Sequence, residues 1–173
     1  MRKCLIAVTL GVSILAAQQP RTVPTLKTVL LQELRETHNE KNWFVSEKEA
    51  VAGLTPEQAA WSDGKNHSVG QLVQHLNFWN SANLARLKHQ PAPKVTDNDT
   101  TFAFDPTQWD SALKEFDRVM GELEQFVESA DDATLAKIAP TVARIAQHNS
   151  YHIGEMVTSR KKQGTWNPDA GVK

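Results

Sequence analysis

Apolar residues recur every three or four positions through four long stretches of this chain, and no stretch alternates apolar and polar residues as a half-buried strand would. The predicted long helices cover residues 25–41, 68–89, a segment that begins at Asp105-Pro106, and 140–163. Short helical segments are expected at 56–61 and directly after Asp131-Asp132. Four amphipathic helices in one small domain predict an all-α four-helix bundle over residues 24–164.

Local signals place several helix ends. Thr55 and Ser68 are predicted N-caps, because their hydroxyls can accept a hydrogen bond from the first helical turn. Gly164 is the expected residue just beyond the last helix. Residues 91–105 form the one extended loop, which is polar and carries prolines, and loops of this kind either cover a site or are mobile. The tail, residues 165–173, is predicted to be irregular.

The N-terminus has the composition of a signal peptide. Arg2 and Lys3 precede a short apolar run that ends in Ala16-Ala17. We therefore expect residues 1–17 to be cleaved and the protein to be exported, either periplasmic or secreted. An uncleaved anchor or a buried first helix is the alternative. The run is too short for a comfortable membrane span, so no stable span is expected after cleavage.

Charge and cysteine content exclude some classes of function. The formal net charge is −1, and removal of Arg2 and Lys3 would make it −3. With no tract of lysine and arginine, nothing favours binding to nucleic acid or to an anionic membrane. Cys4 is the single cysteine, so the cleaved chain would contain neither a disulfide nor a thiol nucleophile.

Three histidines are placed where a metal ion could be bound. His148 and His152 lie one helical turn apart in the fourth helix, and His75 lies in the second. On a helical wheel with about 100° per residue, all three border the apolar stripe of their helix, where a cleft between packed helices would lie. Three neutral imidazoles are the ligand set of a catalytic-type metal site with an open position. Read residue by residue, each histidine has an alternative role as a hydrogen-bonded structural group.

Other polar and aromatic residues could lie near such a metal site, but the sequence supports this less strongly. The remaining histidines, which lie near segment ends, are His38, His67 and His89. Surface or capping roles are expected for them, although His38 could approach the site from the first helix. Asn149 and Gln74 flank the three histidines and could support them. The aromatic residues that could line an apolar pocket, or equally belong to the core, are Phe78, Trp79 and Trp109.

The segment from Ser68 to His75, followed by His148-Asn-Ser-Tyr-His152-Ile-Gly-Glu155, resembles the DinB-like superfamily. These are four-helix metal proteins that include YfiT-like metal-dependent hydrolases and thiol-dependent transferases. The resemblance extends to the tail, Gly164-Thr-Trp-Asn-Pro168, which is similar to the tails of an exported branch. It implies that His75, His148 and His152 are the metal ligands.

The resemblance implies one divalent ion, for which zinc fits three imidazoles best and nickel, iron or manganese are alternatives. A metal-dependent hydrolase acting on an unknown small molecule is the expected function. Glu155 is the candidate catalytic base, or else a partner of a histidine N–H. The alternatives are a thiol-dependent transferase, which export disfavours because small thiols are chiefly cytosolic, and a non-catalytic envelope protein that binds a metal or ligand or forms a homodimer.

Overall fold

The computed structural model describes residues 23–171, and within that range every regular element is helical. The α-helices are α1 (Leu26–His38), α2 (Glu47–Val51), α3 (Pro56–Ala60), α4 (Val69–Leu87), α5 (Trp109–Ser129) and α6 (Asp132–Gln163). Short 3-10 turns cover Asn98–Phe102, Pro106–Gln108 and Pro168–Ala170. The predicted all-α fold is confirmed. The predicted signal peptide, residues 1–17, lies outside the described residues.

The four long helices pack in the ring order α1, α6, α4, α5. Hydrogen bonds show that α4 and α5 run in the same direction. The Asn77 amide donates to the carbonyl of Ala112 on α5. The ammonium of Lys88, just after the end of α4 and eleven residues beyond Asn77, donates to Glu122, ten residues further along α5. Two sequential helices that run parallel cannot be joined by a tight turn, so the chain must return along the bundle between them.

That return segment, residues 88–105, is called the crossover here. It runs antiparallel to α4: the indole N–H of Trp79 donates to Asn98 at 3.2 Å, and the Phe104 ring lies against Gly70 at the start of α4. The predicted extended loop therefore covers the face of α4 that carries His75. This placement follows from the parallel arrangement of α4 and α5.

The apolar stripes of the long helices meet in one continuous core. Its largest fully buried side chains include Trp109, Phe116, Leu34, Leu72, Leu76, Met120, Leu123, Leu135, Ile153 and Met156. Trp109 belongs to this core, because its side chain is buried and its indole N–H donates to the carbonyl of Leu54 at 3.1 Å. Of the two roles considered for Trp109, the structure supports core packing.

The predicted caps are confirmed. The hydroxyl of Ser68 accepts a hydrogen bond from the Gln71 backbone N–H, and the Gln71 side chain accepts one in return from the Ser68 N–H. Thr55 and Gln58 form the same reciprocal pair at the start of α3. Gly164 has a φ of 77°, a left-handed conformation that glycine adopts without strain and that ends α6.

The predicted start of the last helix is wrong. Instead of a short turn followed by a helix from Pro140, α6 is continuous from Asp132 and contains Pro140. Proline has no backbone N–H, so the carbonyl of Ala136 loses its helical hydrogen-bond partner at Pro140. Both residues are exposed, so water can take the place of the missing N–H. Burial of Leu135 holds the first two turns against the core.

Two further differences concern short elements. Helix α2 was not predicted, because five residues are too few to show an apolar period. The tail, expected to be irregular, contains one 3-10 turn as far as it is described.

Between residues 23 and 171, no helix combines the length and the apolar character that a membrane crossing requires.

Candidate metal centre

His75, His148 and His152 come together between α4 and α6. The Nε2 atom of His148 lies 3.2 Å from Nε2 of His75 and 3.0 Å from Nε2 of His152. His75 and His152 are buried, and His148 is half-buried. The two histidines of α6, one turn apart, therefore meet His75 of α4, and each of the three residues contributes its Nε2 atom.

The crossover fixes the tautomer of His75. The Thr101 hydroxyl donates to the carbonyl of Asn98 at 2.7 Å, so its oxygen accepts the N–H at Nδ1 of His75 at 2.6 Å. With the proton at Nδ1, the lone pair of His75 lies on Nε2, the atom that faces the other two histidines.

Glu155 fixes His152 in the same way. The N–H at Nδ1 of His152 donates to Glu155 Oε2 at 2.7 Å, which again leaves the lone pair on Nε2. The Glu155 carboxylate lies on the side of the ring away from the convergent nitrogens, and its charge raises the pKa of the Tyr151 phenol. The structure thus places Glu155 against a histidine N–H.

The surroundings keep the imidazoles of His75 and His148 neutral. Burial, followed by the charges of His152 and His148, lowers the pKa of His75 to about 3. Burial, followed by the charge of His152, lowers the pKa of His148 to about 4. Neutral imidazole is the form that coordinates a metal ion, so at neutral pH these two residues are in the ligating state.

The donor set fits a divalent ion. The lone pairs on Nε2 of His75 and His152 both point toward His148, and a single proton on His148 could satisfy only one of them. A cation at the centre satisfies all three. Nitrogen ligands at about 2.0–2.1 Å from one tetrahedral ion lie about 3.3 Å apart. Two of the three separations, those from His148, are close to this value at 3.0 and 3.2 Å, and all three ligand atoms lie within 4.8 Å of one another.

Phe102 of the crossover forms one wall of the centre. Its ring stacks on His75 with 4.0 Å between centroids, and on its other face it stacks on exposed His67 at 3.8 Å. The ring is itself buried. Phe102 therefore fixes the plane of His75 and separates the centre from the cleft beside His67.

The three histidines form one end of a groove between α4 and α6 with a volume of about 790 Å³. The helices are antiparallel: Leu72 and Thr158 line one cavity, His75 meets His152, and Arg86 lines the groove together with Thr141. Trp79 lies on the groove wall, as anticipated for a pocket aromatic. A groove of this size accommodates a small organic molecule.

A family model of the DinB superfamily matches residues 48–156, which include all three histidines. The chain belongs to the DinB superfamily. No curated protein and no solved structure matches it. DinB-like proteins bind metal, and the three histidines of this DinB-superfamily chain could hold one ion.

The remaining predicted neighbours lie elsewhere in this DinB-superfamily fold. His38, expected at the surface or near the site, is buried between Glu124 at 2.7 Å and Asp117 at 3.0 Å. Burial alone would lower its pKa, but the two carboxylates more than offset it, so the pKa of His38 is raised. The prediction missed this pairing because both partners come from α5, far away in sequence.

Two residues proposed to support the ligands, Asn149 and Gln74, form no side-chain hydrogen bond to them within the described part of the chain. Asn149 is fully buried and bonds Asn80 and Met120 within the core. Among the described residues, no hydrogen bond joins Gln74 to the three histidines. His89 is exposed and lies just after α4. Its φ of 55° is a left-handed conformation of the kind that ends helices. Besides the predicted Glu155, two groups of the crossover support the centre, Thr101 and Phe102. No sequence signal pointed to them beyond their position in a loop that could cover a site.

Proposed function

We propose that this DinB-superfamily chain is a metal-dependent enzyme that hydrolyses a small organic molecule bound between α4 and α6. His75, His148 and His152 would hold one divalent ion, with zinc as the first choice and nickel, iron or manganese as alternatives. The observation that carries the proposal is the convergence of three Nε2 atoms at the wall of a groove of about 790 Å³. Three histidine ligands would leave a coordination position of the ion open for water or substrate.

An ion in this site would supply Lewis-acid chemistry, polarising a substrate oxygen and lowering the pKa of water. The side chains provide its environment. Neutral imidazoles do not cancel the charge of the ion, and the Thr101 hydroxyl holds His75 in its ligating tautomer. Glu155 does the same for His152. Because Glu155 lies on the Nδ1 side of the ring, we assign it to positioning His152, in preference to the general-base role.

A thiol-dependent transferase is the second candidate, and one observation favours it. No aspartate or glutamate of the described residues lines the groove, so no carboxylate there stands ready to take a proton from water. A thiol bound as its thiolate needs no such base. Hydrolysis remains our first choice because we place the protein outside the cytosol, where small thiols are scarce.

Export is itself part of the proposal, resting on the charged and apolar pattern of residues 1–17. N-terminal sequencing of the protein recovered from its native host tests it. A mature chain that begins near Gln18 supports export. A chain that retains Arg2 and Lys3 contradicts cleavage.

Elemental analysis of protein purified without an affinity tag tests the metal site. The wild type should contain close to one equivalent of a divalent metal, and His148→Ala/His152→Ala should contain almost none. His89→Ala, which removes an exposed histidine elsewhere, should behave like the wild type. Equal metal contents in the wild type and the double variant would contradict the site.

A second assay separates the reactions. Metal-loaded protein is tested with panels of esters, amides and phosphoesters, and separately with electrophiles in the presence and absence of a small thiol. Turnover without thiol supports the hydrolase. Thiol consumption that requires metal supports the transferase. No turnover in either panel, with metal fully bound, contradicts both enzymes and favours a binding protein.

A further inference from the structure

The groove that contains the three histidines carries positive charge from its lining side chains. Arg86 and Arg144 line it, whereas no carboxylate from residues 23–171 does. The chain as a whole is nearly balanced, with 19 lysines and arginines against 20 aspartates and glutamates. The excess of positive charge in the groove is therefore a local feature and does not follow from composition.

Both arginines lie on the helix faces that carry the histidines. Arg144 precedes His148 by four residues, and Arg86 follows His75 by eleven, so each pair shares one face of its helix. These spacings correspond to about 6 Å along α6 and about 16 Å along α4. Because the helices are antiparallel, both arginines lie on the same side of the centre, one near it and one at the far end of the groove.

Neither guanidinium is paired with a carboxylate of residues 23–171. Within the described part of the chain, Arg86 and Arg144 form no salt bridge, although several other basic residues do. Arg86 is held in place: it lies over the Trp79 ring at 5.8 Å, and its Nη1 donates to Asn83 Oδ1 at 3.0 Å. Its remaining N–H groups are available to a ligand, as are those of the exposed Arg144.

Two unpaired cations beside a site suited to a divalent cation repel one another and the ion. A bound anion removes that repulsion, and a guanidinium binds carboxylate and phosphate oxygens with two parallel hydrogen bonds. The walls between the charges include apolar and aromatic side chains, Trp79, Phe102 and Ile145, beside the neutral polar side chains of Asn83, Asn98 and Thr141. The groove thus offers an anion site and an apolar surface beside the three histidines.

We propose that the molecule bound in this groove is an organic anion, whose carboxylate or phosphate is bound by Arg144 or Arg86 while its apolar body contacts Trp79 and Phe102. The assignment rests on the proposed function, which places the reacting group at the three histidines. A short substrate would reach Arg144, and a longer one would reach Arg86.

Ligand pairs that differ only in charge test this assignment. The probes are straight-chain hydroxamates, which chelate a metal ion, ending in a carboxylate, a phosphonate or an uncharged primary amide. Dissociation constants are measured by calorimetry on metal-loaded protein for the wild type, Arg86→Gln/Arg144→Gln and the two single variants. Arg118→Gln is the control, since Arg118 is an exposed arginine on α5 paired with Glu115. Metal content is determined for each protein.

We expect the wild type to bind one anionic probe about tenfold or more tightly than the amide of equal length, as for a charge-assisted pair near the surface. The double variant should lose this preference while its affinity for the amide and its metal content are unchanged. Arg144→Gln should affect the shorter probes and Arg86→Gln the longer ones. The relative affinities for carboxylate and phosphonate distinguish the two anions.

Equal affinity of the wild type for the anionic probes and the amide would overturn the inference, as would a preference that survives in the double variant. A wild type that binds no metal would contradict the proposed function instead. In that case 4-phenylbutyrate and its amide are compared by NMR on the metal-free protein. A preference for the acid that the double variant loses would support the anion site, and its absence would refute the site as well.

Discussion

The N–H at Nδ1 of His75 donates to the Thr101 hydroxyl at 2.6 Å, and this hydrogen bond connects the crossover to the candidate metal centre. Helices α4 and α6 alone bring the histidines together, but the crossover determines which nitrogen of His75 carries the proton. The hydroxyl can act only as an acceptor toward His75, because its own proton is donated to the carbonyl of Asn98.

Replacing Thr101 with valine should weaken metal binding without removing a ligand. The variant keeps the shape of the side chain but leaves the Nδ1 proton of His75 without an acceptor, which favours the other tautomer. Loss of such a supporting group costs roughly 10- to 100-fold in metal affinity. Competition with a chromophoric chelator measures this change. Thr101→Ser should restore affinity, and Thr100→Val, at an exposed neighbour, should have no effect. Unchanged affinity in Thr101→Val would contradict the role of the hydroxyl.

Substitution of Glu155 distinguishes its two roles. If Glu155 positions His152, Glu155→Gln should retain most of the metal affinity, because the amide oxygen still accepts the N–H, and Glu155→Ala should lose roughly 10- to 100-fold. If it is a general base, Glu155→Gln should lower kcat by about two to four orders of magnitude with metal content unchanged. Gln147→Ala, an exposed neighbour on α6, is the control.

Much of the helical framework could be predicted from the sequence because its signals are local. Apolar spacing identifies the long helices, and capping by Ser68 needs only the residues of one turn. The helical wheel also placed His75, His148 and His152 at the margins of their stripes, and in the structure the three side chains meet between α4 and α6. Which helices pack together is not a local property, and the resemblance to a family supplied it.

The features that sequence reasoning missed depend on contacts between distant residues. The position of Thr101 beside His75 follows from the parallel arrangement of α4 and α5, which no local pattern encodes. Pro140 within α6 is an exception to a local rule, tolerated because packing of the first turns outweighs one lost hydrogen bond. The pairing of His38 with Glu124 likewise requires α1 and α5 to be already packed.

Gly70 is the residue on α4 that allows the crossover to approach. A Cβ added there would overlap the Phe104 ring, so Gly70→Ala should displace the crossover and lower the free energy of unfolding by about 1–3 kcal/mol. Metal affinity should fall as well, since Thr101 belongs to the same segment. Gly121→Ala on α5 is the matched control: apart from its chain neighbours and the backbone of its own helical turns, no atom of the described residues lies within 4 Å of its added Cβ. Alanine should stabilise this helix by up to about 1 kcal/mol. Chemical denaturation measures both. Equal stabilisation of the two variants would contradict the close packing of Phe104.

Glu47, at the start of α2, is a buried carboxyl group beside a second cavity of about 390 Å³ that His38 and Asp117 also line. Its Oε1 has no hydrogen-bond partner among the described residues. Burial, followed by the negative charge of Asp117, raises the pKa of Glu47 from 4.5 to about 8. The folded protein therefore holds this proton over a range of pH in which the unfolded chain has released it.

The sign of the pH dependence follows from that difference. Between pH 4.5 and about 8 the folded state binds more protons at Glu47 than the unfolded state, so this residue makes stability fall as pH rises, and the loss is complete above about pH 8. The glutamine in Glu47→Gln cannot ionise, so the free energy of unfolding of the variant should rise relative to that of the wild type as pH increases across this window. At pH 8.5 the variant should be more stable by a few kcal/mol, because each tenfold change in the proton dissociation constant corresponds to about 1.4 kcal/mol. Urea denaturation at pH 5, 7 and 8.5 measures the difference, and Glu33→Gln, at an exposed carboxylate of α1, should follow the wild type at every pH. A constant difference between Glu47→Gln and the wild type from pH 5 to 8.5 would show that the carboxyl is not buried in its protonated form.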